Sequence, residues 1–304
     1  MENQILFMAI AKGVESTEST QIKRYYGVAP VYVLGVNPTK DKLEELYGTT
    51  LNEEPNYMGT TTDADGNEVP QVRIDFIVKT DEVKCGVDMT TKVTFFIRNQ
   101  VRYNKDKSKV QVIDKYGRTA WVTKNEMLNH SIPVYKSGPA NLDKDYRPCF
   151  YGEENLTKFI KAYLGIPDAM LYKDGVWVKA DNLDDCEIRL DHIQDYFKGD
   201  FSELEGAIKL QPNNKVKVLF GVKVTPDNKQ YQTTYTEMFL KNNANKLTNL
   251  EKDVNERKAA GAYSNIEFVI EGIKEYTVEP TTFQEVSTDM PESDTVGLPD
   301  GLPW

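Results

Sequence analysis

Three runs of two-residue alternation constrain the fold of this chain more than any other feature. Val72, Ile74, Phe76 and Val78 alternate with Arg73, Asp75, Ile77 and Lys79. Val93, Phe95 and Ile97 alternate with Lys92, Thr94, Phe96 and Arg98. Val216, Val218, Phe220, Val222 and Val224 make a third apolar row, with Lys217 and Lys223 flanking Leu219 and Gly221 on the opposite side. A period of two sends successive side chains to opposite faces of an extended chain, so each run predicts a strand with one face on a core.

Turn chemistry extends the pattern. Asp65-Gly66 predicts a hairpin turn ahead of the Val72 run, and Pro226-Asp227-Asn228 predicts a turn into a partner strand over Gln230–Leu240. Ile5–Ala11, Val31–Val36, a short stretch around Trp177 and Ile266–Ile273 read as further strands. Helices are expected from Thr39 as cap through Leu46, and through Leu156, Phe159, Ile160, Tyr163 and Leu164, where the 3–4 spacing gives one apolar stripe. Asp200 with Glu203 has the form of a capping box opening a helix to Leu210, with Leu204 and Ile208 buried, and Asn242–Ala260 reads as a mostly polar helix. The fold class is therefore β-rich α+β. With strands at both ends of the chain, the order predicts one body over residues 1–274, with a helical insertion at about 125–211.

The last thirty residues differ from that body. From Glu275 to Trp304 there are seven acids and no Lys or Arg, among Thr, Ser, Pro and Gly. Such a segment cannot bury a core and predicts a disordered, solvated tail over 275–304. Its tip, Leu302-Pro303-Trp304 following Asp300, is apolar and carries the chain-terminal carboxylate. A ring, a stiff turn and a negative charge together suit capture in an apolar pocket beside a cation. The whole chain has a net charge of −10, but 47 acids less these 7 leave 40 against 37 bases, so the body carries only −3.

Between Lys92 and Arg118 the balance reverses. Eight bases and two acids give this segment a charge of +6. Lys92, Phe96 and Arg98 share one strand face; Arg102, Tyr103, Lys105, Lys107 and Lys109 surround a hairpin tip; Val110 and Val112 begin a return strand that leads past Tyr116-Gly117-Arg118 to Trp121. Cations that track phosphates, interleaved with rings that stack on unpaired bases, are what sequence-tolerant binding of a single strand requires. A solvated strand pair with its rings in the core is the competing explanation of the same residues.

The tail resembles that of OB-fold single-stranded DNA-binding proteins of bacterial and phage replication, which end in acids, an apolar residue, Pro and an aromatic. The matching residues are Asp300, Leu302, Pro303 and Trp304; Gly301 interrupts the acidic run, and Trp stands where Phe is usual. In overall order the body also resembles proteins of this type from crAss-like bacteriophages. The resemblance implies an OB-like antiparallel barrel that binds single-stranded DNA without catalysis. It also implies a tail that recruits replication, recombination and repair proteins in the host-cell cytoplasm. The tail motif covers about a tenth of the chain.

Other chemistries find little support. No apolar run approaches the roughly 18 residues of a membrane span, and Met1–Phe7 lacks the basic start of a signal peptide, so an intracellular protein with no membrane partner is expected. Cys85, Cys149 and Cys186 are far apart, and with His130 and His192 they lack local zinc-ligand spacing, which predicts free thiols, no metal and no cofactor. Asp63–Glu68 has some of the acids of a calcium loop, but its Gly comes too early and the distal Glu is missing. There is no phosphate loop, G-x-S-x-G, H-E-x-x-H or G-x-G-x-x-G. The competing classes are a virion-associated β-rich structural protein and a metal-dependent nuclease built from scattered acids. Self-association is left open.

Overall fold

The computed structural model describes residues 10–11, 24–128, 146–165, 170–173, 176–179, 190–210, 212–227, 229–241, 247–268 and 278–280. The chain is a strand-rich α+β structure in which every strand pairing among the described residues is antiparallel. It divides into two compact units. One takes the described parts of 1–55, 75–94 and 213–303, and the other those of 56–74 and 95–212. Two of the boundaries, at 74/75 and 94/95, fall inside the long strands Glu68–Thr80 and Met89–Arg98. The segment 125–211, expected as an insertion, lies within the range of the second unit.

The first unit is organised on the Lys215–Val224 strand. It pairs with Tyr25–Val36 on one side, and Gln230–Thr234, Leu240–Lys241 and Ile266–Phe268 also pair with it. Every residue from Val216 to Val222 is buried, including Lys217 at 1% exposure, so the second face is not the polar flank expected from its lysines. Leu219 on that face packs in a cluster with Val28, Tyr235 and Phe268, which the Thr248–Ala259 helix covers with Leu250 and Val254. Two such aliphatic side chains contribute roughly 1.5–3 kcal/mol each when fully buried. Gly221 is required there: a Cβ would stand 2.4 Å from the Phe268 ring.

The same cluster explains why the Gln230–Leu240 strand is interrupted. Tyr235 turns inward against Tyr263 and Phe268, with ring centroids 5.4 and 5.3 Å away, and its hydroxyl donates to Asp253. Strand pairing therefore ends at Thr234 and resumes only at Leu240. Tyr25–Val36 begins earlier than the Val31 expected, because Tyr25–Gly27 pairs with Pro280–Val278. That pairing places three residues of the expected tail in the sheet. Arg24 and Tyr25, from a Lys23-Arg24-Tyr25-Tyr26 run that puts two bases beside two rings, are buried; Arg24 donates through Nε to the Gln230 carbonyl. Of the first and last expected strands, only Ile10–Ala11 and Ile266–Phe268 lie within the described residues.

In the second unit, Met58–Thr62 pairs with Glu68–Val72 across the Asp65-Gly66 turn, as the dipeptide predicts. Lys109–Asp114 is the centre of a three-stranded sheet, between Thr119–Thr123 and Tyr146–Pro148. The return strand thus has partners other than Met89–Arg98. The Glu153–Leu164 helix buries the predicted stripe of Leu156, Phe159, Ile160 and Tyr163, and ends at Gly165, whose φ of 70° supplies the left-handed cap. Ser202–Leu210 is also helical and buries Leu204, while Ile208 stays partly exposed. Its capping box does not close. Glu203 accepts instead from the Asp191 and His192 backbone N–H groups and from the Tyr196 hydroxyl.

Candidate nucleic-acid interface

The inward packing of one strand determines what it presents outside. Phe95 and Ile97 are buried, Phe95 with its ring centroid 5.5 Å from that of Phe159, so the pleat turns Phe96 and Arg98 outward. Phe96 is 36% exposed, a large apolar ring at the surface. The Phe150–Gly152 turn lies directly along this strand. Arg98 N–H donates to the Tyr151 carbonyl at 3.2 Å, and Tyr151 N–H to that of Gln100 at 3.2 Å. Only glycine permits this approach, because Gly152 has φ +85° and a Cβ there would lie 2.0 Å from the Phe96 carbonyl oxygen. Tyr151 is thereby fixed beside Arg98, whose guanidinium carbon sits 5.7 Å from the ring centroid. Two rings and a guanidinium make a platform of planar groups.

The neighbouring hairpin is built from Arg102 to Gln111. Gln111 N–H donates to the Arg102 carbonyl, and Asn104 N–H to that of Lys109. Asp106 accepts from the Ser108 backbone and hydroxyl, which closes the tip. Lys105 and Lys109 are exposed there and make no ion pair among the described residues. Lys107 occupies a left-handed position, φ 56°, and its ammonium donates to both Asp65 carboxylate oxygens at 2.7 and 2.6 Å. Its pKa is held above the ordinary value, first by that hydrogen bond and to a lesser degree by the nearby Asp65 and Asp63 charges, against its desolvation. Gln100 links this pair to Tyr151, since its side-chain amide donates to Asp63 at 3.0 Å and its carbonyl accepts from the Tyr151 N–H. Tyr103 is partly buried against Val110, Val112 and Val122, with the Lys124 ammonium 6.0 Å from its ring centroid.

Several of the expected cations are engaged inside the protein. Arg102, with its side chain 19% exposed, donates to Glu154 at 2.9 Å and Gln111 at 3.0 Å, and lies over Trp121. Arg118 is bound to the buried Asp114 carboxylate at 2.6 Å and covers Tyr116. Lys92 belongs to the first unit and pairs with Asp75, which is 2% exposed, at 3.0 Å. Adding Asp75, Asp65 and Glu154, the ion-pair partners outside the segment, reduces its +6 to +3. The groups brought together at the surface are Phe96, Arg98, Lys105, Lys107 and Lys109, with Tyr103 half committed to the core.

The sequence marks neither Tyr151 nor Asp65 as a site residue, Asp65 reading only as part of a turn. Tyr151 lies in the ring-and-base run Tyr146–Tyr151, which reads as core and turn, and only the left-handed Gly152 carries it to Arg98. Asp300, Leu302, Pro303 and Trp304 lie outside the described residues, as do Cys186 and His130. Among the described residues, no group of three or more His, Cys, Asp or Glu could hold a metal ion. Cys149 is buried, which pushes its thiol well above the ordinary range and makes it a poor nucleophile. No helix among the described residues is long and apolar enough to cross a membrane. Comparison with protein-family models, with curated proteins and with solved structures finds no match.

Proposed function

We propose that this protein binds single-stranded DNA without sequence preference and without catalysis. Bases would stack on the Phe96–Arg98–Tyr151 platform, and phosphates would contact Lys105, Lys107 and Lys109. The observation that carries this reading is the platform itself. A Phe left partly exposed beside an Arg laid over a Tyr, fixed by a turn that only glycine allows, offers planar faces to a ligand. Aromatic faces and guanidinium planes accept any base, and lysines on the adjacent hairpin tip accept any phosphate. An OB-like closure of the antiparallel strands is the architectural reading that accompanies this function.

The acidic C-terminal segment completes the proposal as a recruiting element for replication, recombination and repair proteins, acting in the cytoplasm of the producing cell. Because Val278–Pro280 belongs to the sheet, a deletion that removes only the recruiting segment begins after Pro280.

Binding to a fluorescein-labelled oligo-dT, titrated over salt by anisotropy, tests the reading. Phe96→Ala should weaken binding by about 1–3 kcal/mol, measured on the folded protein at a temperature below any lowered melting point. Lys105→Ala with Lys109→Ala should lower the salt slope by about 1.4, at about 0.7 for each single-strand phosphate contact. No binding at low salt, or binding indifferent to both changes, would refute it.

A further inference from the structure

We propose that Asp65 is a built-in competitor for the nucleic-acid phosphate at Lys107, so that the acidic turn Asp63–Asn67 sets the affinity of the basic hairpin. This inference rests on the binding function proposed above and adds its regulation.

The turn is made to deliver a carboxylate. Asp63 accepts from the backbone N–H groups of Asp65 at 2.9 Å and Asn67 at 2.8 Å, and from the side-chain amides of Asn67 at 3.3 Å and Gln100 at 3.0 Å. Asp63 is therefore consumed in fixing the backbone, and Asp65 is left at the apex with its carboxylate free to face the hairpin. Among the described residues that carboxylate has one polar partner, the Lys107 ammonium. Two oxygens at 2.6–2.7 Å around one ammonium are also what two oxygens of a phosphate group would provide.

The hairpin side is equally specific. Lys107 holds a positive φ, where Gly or Asn is the ordinary choice, and this conformation directs the chain at the point where its side chain meets Asp65. Gln100 ties the site to the platform: its side-chain amide donates to Asp63 at 3.0 Å and its carbonyl accepts from the Tyr151 N–H at 3.2 Å, so a phosphate at Lys107 would belong to the same bound strand as a base on Tyr151. Both members of the pair are more than half exposed, at 56% and 55% of the side chain. Exposed ion pairs are weak and exchange readily, so a phosphate can displace Asp65, but each displacement forfeits the internal pair.

Removing the competitor should therefore strengthen binding, and through Lys107 in particular. Asp65→Asn keeps the size of the side chain and leaves Asp63 to hold the turn, so the fold should be retained. At low salt it should bind oligo-dT about two- to fivefold tighter, the range expected from the weakness of an exposed pair. Its salt slope should also be about 0.7 steeper, since one phosphate is then neutralised by an unopposed lysine. Asp106→Asn, which removes another exposed acid that accepts from Ser108 and pairs with no cation among the described residues, measures the effect of charge alone and should give a smaller gain.

The deciding measurement is the double variant. In a Lys107→Ala background, Asp65→Asn should give no more than the Asp106→Asn gain. An undiminished gain in that background, or no gain in the intact protein, would overturn the inference while leaving single-strand binding in place. If the unmodified protein fails to bind oligo-dT at low salt, both readings fall together.

Discussion

The Glu154 carboxylate offers the sharpest test of which charges hold this protein together. It accepts from Arg102 at 2.9 Å and Gln111 at 2.8 Å, and pairs with Lys158 at 3.0 Å. Burial alone would raise its pKa, but Lys158, Gln111 and Arg102 outweigh burial and hold it at about 2, against an ordinary 4.5. At about 1.36 kcal/mol per pH unit, that difference corresponds to about 3 kcal/mol of stability at neutral pH. A folded-state pKa below the unfolded one means the contribution is present above 4.5 and is lost as pH falls toward 2. Glu154→Gln keeps the shape and removes the charge. With a fifth of the side chain exposed, about 2–3 kcal/mol should be lost at pH 7, read as a lower urea midpoint at unchanged slope. The gap between the two proteins should narrow below pH 4.5 and close near pH 2. Neighbouring Glu153, pushed upward by burial against its Arg147 pairing, is common to both proteins and cancels in the difference. A gap that persists undiminished to pH 2.5, or no gap at pH 7, would refute the assignment.

Two further outcomes follow from the same geometry. Arg118→Ala takes the guanidinium away from the buried Asp114 carboxylate and should cost about 2–4 kcal/mol of stability; Arg102→Ala should cost less, because Glu154 keeps Lys158 and Gln111, and neither should change the salt slope of oligo-dT binding measured on the folded protein. Gly152→Ala should cost about 3 kcal/mol or more in a denaturant melt, since it meets both the positive-φ penalty and a backbone oxygen that cannot retreat. In its folded fraction it should also weaken binding by displacing Tyr151 from Arg98.

Local pattern was legible where one strand or one helix decides the outcome. Outward Phe96 and Arg98, inward Phe95 and Ile97, and the apolar stripe of Glu153–Leu164 all follow from period alone. What escaped depended on neighbours far away in sequence. Lys217 reads as a flank until the Thr248–Ala259 helix and an aromatic cluster cover that side of its strand. Glu203 reads as the partner of Asp200 until the Asp191–Tyr196 segment supplies stronger donors. The return strand from Val110 reads as the partner of Met89–Arg98, yet it pairs with Thr119–Thr123 and Tyr146–Pro148. Alternation tells which side a residue faces and nothing about what lies there.

The same distinction governs the candidate site. A charge of +6 in 27 residues says that cations are numerous, not that they are available. Arg102 and Arg118 carry guanidinium groups, whose planar fork suits fixed carboxylates, and both are spent on Glu154 and Asp114 inside the unit. Lys105 and Lys109 sit on a turn with no carboxylate within ion-pair reach among the described residues, and Lys107 meets one that is itself exposed. The arginines thus brace the base of the hairpin while the lysines carry charge at its tip. Arg98 is the exception among the arginines, and the reason is its partner: it faces a ring, not an acid, and a cation over a ring keeps its charge for a ligand. Binding should accordingly depend on Arg98 and the three tip lysines, and stability on Arg102 and Arg118.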